Sequence, residues 1–393
     1  MKAIILVIDS FGIGYLPDAG KYGDVGSNTA LHICENIPGE KWPVLRSYGL
    51  GNAAGLLGFE LPGCGAVENP KALYGVMAEK SPGKDTTTGH WELAGIELEK
   101  AFTTFPPEYP SFPEAMVRRF EEKTGKKMIG NKAASGTVII EELVEEHLET
   151  GSPICYTSGD SVFQIAAHED VFPLDELYDL CIAAREICDD YQVGRVIARP
   201  FTGRKGSLER TSGRRDFSMP LPAPSIMDHL RKGGIITAGV GKIGDIFNEQ
   251  GIDESYHDKG NPACIERTLA LVSDRRKENL FVFVNLVDTD MIYGHRRDVR
   301  GYFDAVSAVD TAVVGIEEAM SEGDLLIITA DHGCDPTFRG TDHTREHVPL
   351  LAYRKGFPGA SAGIRSAFSD VAATLADFFG TAPYPRGSSF LSG

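Results

Sequence analysis

Three aspartates and three histidines offer the chemistry of a metal site: Asp9, Asp290, Asp331, His295, His332 and His343. Carboxylate oxygens and imidazole nitrogens are donors for divalent ions of the Mn²⁺, Zn²⁺ or Mg²⁺ kind, and six such groups suffice for two ions. Two ions carry four positive charges against three carboxylates, and the surplus suits a phosphate dianion. Placed roughly 4 Å apart, two ions can clamp the attacking and leaving oxygens of an in-line phosphoryl displacement. The hard-ligand set is complete without sulfur, so Cys334 reads as a bystander.

A nucleophile for such a transfer is on offer in Gly83-Lys84-Asp85-Thr86-Thr87-Thr88-Gly89-His90-Trp91-Glu92. Three hydroxyls precede a short helical pattern at 91–95, and a helix N-terminus turns backbone N–H groups and its positive dipole end towards an anion. A metal-bound hydroxyl loses its proton more readily and becomes a competent nucleophile. On chemistry alone any of the three threonines could serve, and so could an ordinary capping role.

The elements that must position these groups are legible. Apolar runs at 4–8, 281–287 and 325–330 each end in an acidic residue, at Asp9, at Asp288 and Asp290, and at Asp331. Unbroken apolar runs mark strands covered on both faces, as in mainly parallel sheets. In such sheets ligands collect at the carboxyl ends of the strands, where these aspartates stand. Further strands are expected at 235–240 and 348–353. Helical spacing recurs at Phe303, Val306, Val309, Val313, Ile316 and Met320, and at Ile364, Phe368, Val371, Leu375 and Phe378. Asp331 and His332 can share a site only if the chain turns there, a turn assigned to Gly333. Asp288 and Asp310, taken singly, read as helix caps or turn residues, and His32, His147, His168, His229 and His257 as surface or core residues.

The fold class is α/β. Prolines at 106, 107, 110 and 113 and a charged loop at 203–216 bracket a stretch of different texture. The expected division is a discontinuous core, 1–104 and 217–393, with an inserted α+β cap at 105–216. Its helices are expected at 138–148 and 174–189, with strands at 153–156 and 195–198.

Composition narrows the class. With 393 residues, 42% of them hydrophobic, the chain can bury a large core. A net charge of −17 disfavours nucleic acid as a partner. No apolar run reaches the roughly 18 residues of a membrane span, and seven cysteines without a CxxC pair suggest reduced thiols. A cytoplasmic enzyme is the expectation.

Several segments together resemble the bacterial, metal-dependent phosphopentomutase family of the alkaline phosphatase superfamily. They include Asp9-Ser10-Phe11-Gly12-Ile13-Gly14, the GKDTTTGHWE run at 83–92, IGNKAASGT at 129–137 and YTSGDSVFQIAAHE at 156–169. VGRVIARPF at 193–201, GKIGDIF at 241–247, DTDMIYGHRRD at 288–298 and TADHGCDPTFRGTDHTREHVPLLAY at 329–353 complete the set. The resemblance implies an alkaline-phosphatase-like core and phosphorylation of Thr86. It implies one ion held by Asp9, Asp331 and His332 with Thr86, and a second by Asp290, His295 and His343, the usual ion being Mn²⁺. It also implies sugar contact by Asp160 and phosphate contacts by Arg195, Arg210 and Lys242. The implied reaction interconverts α-D-ribose 1-phosphate and D-ribose 5-phosphate, or the 2-deoxyribose pair, through a bound bisphosphate, with the cap excluding water. Phosphoglycerate mutase of the cofactor-independent type, a phosphomonoesterase and a non-catalytic metal-binding protein are the rival readings. Cys334, Thr87 and Gly159 depart from the family's common residues without removing a ligand or the nucleophile.

Overall fold

A computed structural model describes residues 1–159 and 161–391. In chain order the first stretch forms β1 (Lys2–Ile8), α1 (Thr29–Asn36), α2 (Pro43–Tyr48), α3 (Leu50–Leu56), β2 (Leu73–Met77) and α4 (Thr86–Leu93). The middle forms α5 (Glu114–Thr124), β3 (Ile129–Ala133), α6 (Gly136–Thr150), β4 (Ile154–Thr157), β5 (Val162–His168) and α7 (Leu174–Asp190). It ends with β6 (Arg195–Arg204), β7 (Ser207–Arg210) and β8 (Arg215–Ser218). The last stretch forms α8 (Ile226–Lys232), β9 (Ile236–Val240), α9 (Ile243–Ile246), β10 (Glu254–Tyr256), α10 (Asn261–Ser273) and β11 (Leu280–Leu286). It closes with α11 (Val299–Ala319), β12 (Leu325–Thr329), β13 (Val348–Arg354), β14 (Ser361–Arg365) and α12 (Asp370–Phe378).

The chain divides into two units, Met1–Lys100 with Leu221–Gly393, and Ala101–Pro220. The first is built on an eight-stranded sheet ordered β10-β9-β11-β1-β12-β13-β2-β14. Its neighbours pair parallel except β13, which runs antiparallel to both β12 and β2. Every residue of β1, β11 and β12 is buried, as expected for strands covered on both faces. Ile8 pairs with Leu286 and Val7 with Thr329, so three parallel strands end side by side and deliver the residues that follow them to one edge.

The second unit has the sheet β3-β4-β5-β6-β7, with β8 on β6. Strand alternation splits its core in two. Phe163, Ile165, Ala167, Val196 and Ala198 join Phe120 of α5 and Leu177 of α7, whereas Tyr156, Ala166 and Phe201 join Ile139 and Val144 of α6. All seven cysteines are free and buried. Among the described residues no helix is long and apolar enough to cross a membrane.

Three local expectations change. The helix expected from Ile364 begins only at Asp370, because 361–365 pairs with β2 as β14 and leaves Ile364 exposed. The helix near Trp91 begins earlier, at Thr86. Asp85 caps it by accepting from Thr88 N–H at 3.1 Å, which draws all three threonines into the first turn. Gly333 does not sit at positive φ. Its requirement is space, since a Cβ there would lie 2.5 Å from the Glu346 carboxylate.

Asp288 accepts from the N–H of Asn261 at the start of α10 (3.0 Å), and Asp310, within α11, accepts from Leu45 at the start of α2 (2.7 Å). Each satisfies an orphan N–H of a helix other than its own.

Candidate metal centre and nucleophile

Asp9 and Asp331 each follow a parallel strand, and the turn directly after Asp9 is built from Ser10. Its φ of 68° is left-handed, a conformation that costs a non-glycine residue about 1–2 kcal/mol. In return Ser10 N–H donates to Asp331 Oδ1 (3.0 Å), its carbonyl accepts from Cys334 N–H (3.1 Å), and its hydroxyl meets Tyr302 OH (2.9 Å). Asn285 Nδ2 donates to Asp9 Oδ2 at 2.9 Å. Asp290 sits in a π-helical turn, Thr289–Tyr293, directly followed by a 3₁₀ turn that carries His295.

These turns bring the six expected ligands together. His332 Nε2 lies 3.5 Å from Asp9 Oδ1 and 3.4 Å from Asp331 Oδ2. His295 Nε2 is 3.4 Å from Asp290 Oδ2, and His343 Nε2 is 3.3 Å from Asp290 Oδ1. The rings of His332 and His343 are 4.1 Å apart, so the two groups adjoin. Ligand atoms of Asp9, Asp331 and His332 fall within 4.8 Å of one another, as do those of Asp290, His332 and His343, and those of Asp290, His295 and Cys334. Cys334 thus stands closer to the centre than a bystander would.

Backbone carbonyls set the imidazoles. His332 Nδ1 contacts Gly333 O (3.0 Å) and His295 Nδ1 contacts Thr341 O (2.6 Å), so each Nδ1 carries the hydrogen and each Nε2 faces the carboxylates.

The donor set fits divalent ions on a physical test. Among the described residues, Asp9 Oδ1, Asp290 Oδ1, Asp331 Oδ2 and His343 Nε2 are buried atoms without a hydrogen-bond partner, although buried polar atoms are rarely left unpaired. Charge tells the same story. Burial, then the neighbouring Asp331 and Asp290 charges, push the Asp9 carboxyl well above its ordinary range. Burial acts on Asp290 too, but the adjacent His295 and His343 hold it well below. His332 is depressed by burial yet raised to about 9 overall by Asp331, Asp9 and Asp290, and His295 is raised to about 11 by Asp290 and Cys334. Protonated imidazoles are therefore balancing carboxylates that cations would balance better.

Thr86 Oγ1 lies 3.2 Å from His332 Nε2, beside the Asp9, Asp331 and His332 group. Thr88 is engaged elsewhere, its hydroxyl donating to Asp85 Oδ2 at 2.6 Å. Helix α4 packs so tightly that a Cβ on Gly89 would lie 2.1 Å from the Asp331 carbonyl oxygen. Gly89→Ala should therefore push α4 away, lowering unfolding stability by about 1–3 kcal/mol and cutting turnover. Chemical denaturation and a rate assay on the same preparation check both effects.

Of the remaining expected residues, Lys242 is exposed just after β9. In the second unit Arg195 opens β6 within 3.6 Å of Asp216, and Arg210 ends β7. Asp160 lies outside the described residues.

Other site residues escaped the sequence analysis. Asn285 carried a signal, a polar residue inside an apolar run. Glu346 is fully buried and accepts from Gly14 N–H, Thr29 N–H, and the Thr29 and Thr344 hydroxyls, tying the loops around the centre together. Arg345, also buried, bonds Glu79 and the Ser81 and Gly83 carbonyls, fixing the approach to Thr86. Neither announced itself, because the partners are far away in sequence.

The chain matches the metalloenzyme superfamily over residues 1–383, a class in keeping with these donors. It is 51% identical over 394 residues to a phosphopentomutase of Caldanaerobacter subterraneus subsp. tengcongensis, covering 99% of this chain and 97% of that one. It is also 50% identical over 393 residues to a phosphopentomutase of Acetivibrio thermocellus, covering 99% and 98%. The chain belongs to the phosphopentomutase family, a family of metal-dependent isomerases that transfer a phosphoryl group. Among solved structures it is similar to the PH0037 protein of Pyrococcus horikoshii (13% identity, TM-score 0.48, 98% of each chain). A Leishmania mexicana phosphoglycerate mutase is similar to the same degree (11%, TM-score 0.47, covering 99% and 97%).

Proposed function

We propose that this enzyme interconverts α-D-ribose 1-phosphate and D-ribose 5-phosphate, and the 2-deoxyribose pair, through a phosphothreonine at Thr86 and a bound ribose bisphosphate. The observation that carries this reading is the Thr86 hydroxyl at 3.2 Å from His332, in the first turn of α4 and against the unpartnered carboxylates.

Asp9, Asp331 and His332 would hold one divalent ion together with Thr86, and Asp290, His295 and His343 the other, Mn²⁺ being the ion of choice. When bound, the ions would ease loss of the hydroxyl proton and offset charge on the phosphoryl oxygens. The α4 N-terminus directs backbone N–H groups at the phosphoryl group. In the first transfer the Thr86 Oγ–P bond breaks as a substrate hydroxyl forms a new O–P bond, giving the bisphosphate and restoring the Thr86 hydroxyl. In the second, Thr86 Oγ attacks the other phosphate, releasing the isomer and regenerating phosphothreonine. Arg195, Arg210 and Lys242 are proposed as phosphate contacts and Asp160 as the sugar contact, with the inserted stretch as the cap. The free, buried thiols accord with a cytoplasmic enzyme.

The test is a coupled assay with ribose 5-phosphate and Mn²⁺, with and without a bisphosphate primer. Formation of ribose 1-phosphate, stimulated by the primer, is the expected result. Release of free phosphate without isomerisation would make the chain a phosphatase instead.

A further inference from the structure

His90 lies on α4, one turn beyond Thr86, and is fully buried. Its Nδ1 stands 2.9 Å from the Thr86 carbonyl oxygen and 3.1 Å from Asp331 Oδ2. Both neighbours are acceptors, so Nδ1 carries the hydrogen, which it donates to the Thr86 carbonyl while the Asp331 carboxylate lies alongside within ion-pair distance. Nε2 is buried without a hydrogen-bond partner among the described residues, and the ring stacks on Phe283 at 5.7 Å. His90 is not a seventh ligand, since the nitrogen facing the centre is the one that bears the hydrogen.

We infer that His90 is a positioning residue, which fixes Asp331 Oδ2 for the ion and ties the nucleophile's helical turn to that carboxylate. This rests on the reading of Asp331 as a ligand and Thr86 as the phosphoryl carrier. Asp331 accepts from Ser10 N–H with Oδ1, and its Oδ2 lies 3.1 Å from His90 Nδ1. Removing the His90 donor would take this neighbour from Oδ2 and loosen the first turn of α4 from the carboxylate, while Trp91 and Glu92 still anchor the rest of the helix. Outer partners of metal-binding groups commonly govern affinity or activity about 10–100-fold.

Three variants separate hydrogen bonding from packing. His90→Phe keeps a ring on Phe283 and removes the donor, His90→Asn restores an amide N–H near the Nδ1 position, and Asp331→Asn tests the ligand reading itself. Calorimetry of Mn²⁺ binding to stripped protein and steady-state kinetics are the two readouts. His90→Phe should bind Mn²⁺ about 10–100-fold more weakly and lose kcat by a similar factor, while KM changes less than about threefold. His90→Asn should recover most of both. Equal impairment of the two His90 variants, or none in His90→Phe, would overturn the inference while Asp331→Asn still loses the ion. Unchanged Mn²⁺ binding in Asp331→Asn would overturn the ligand reading and the inference with it. Melting of the stripped proteins identifies a variant that fails to fold, in which case recovery by His90→Asn, or its absence, decides the matter.

Discussion

Thr86→Ala should abolish mutase turnover, with a loss on the order of 10⁴-fold or more, because removing a covalent nucleophile removes the route itself rather than one stabilising contact. The fold should survive the change. Thr86 is only partly buried, its hydroxyl meets His332 alone among the described residues, and the cap of α4 is provided by Asp85. Thr88→Ala makes the contrasting case. Its hydroxyl is spent on Asp85, so the expected effect is mainly a loss of about 1 kcal/mol in stability. Phosphoprotein analysis of the primed enzyme should find the label on Thr86 and lose it in Thr86→Ala. Label at Thr87 would move the assignment by one residue and leave the two-transfer scheme intact, whereas full isomerase activity in Thr86→Ala would end it.

Stripping the divalent ions should have the second-largest effect, a reversible loss of roughly 10³-fold or more, since the ions would supply several kcal/mol of charge stabilisation. The stripped protein should also respond to pH in a defined direction. His332 is raised from 6.5 to about 9 in the folded chain. Its protonation thus stabilises the metal-free fold below about pH 6.5, and that contribution is lost as pH rises through about 9. The depressed carboxyl of Asp290 acts in the opposite sense, stabilising at higher pH and losing its contribution only in acid. Between pH 6.5 and 9 the imidazole dominates, so the melting temperature of stripped protein should fall across that window. Ion affinity should rise over the same range, because ligation needs the bare nitrogen and binding expels the proton. Proton release on adding Mn²⁺ at neutral pH measures this directly. A stripped protein whose melting temperature climbs from pH 6.5 to 9 would contradict the charge balance described for the centre.

Arg345 and Glu346 show why much of the centre is hidden from sequence. Glu79 and Arg345 are 266 positions apart, and Thr29 and Glu346 317 apart, yet each pair is in hydrogen-bond contact. No local pattern marks such residues, because a buried carboxylate is tolerable only once folding has delivered its donors.

What the sequence determined by itself is the α/β class, the strands after which Asp9, Asp290 and Asp331 follow, and the donor types that gather there. These are properties of short segments: a buried strand writes itself as an unbroken apolar run, and parallel strands display their carboxyl ends on one edge. Tertiary structure alone decided that β13 runs antiparallel, that 361–365 joins the sheet instead of starting a helix, and that α4 begins at Thr86, capped by Asp85. It also distinguished Thr86 from Thr88 and gave His90 and Asn285 their partners. Strand direction, cap choice and the pairing of buried polar atoms depend on which surfaces meet, and that is settled only when distant segments pack together.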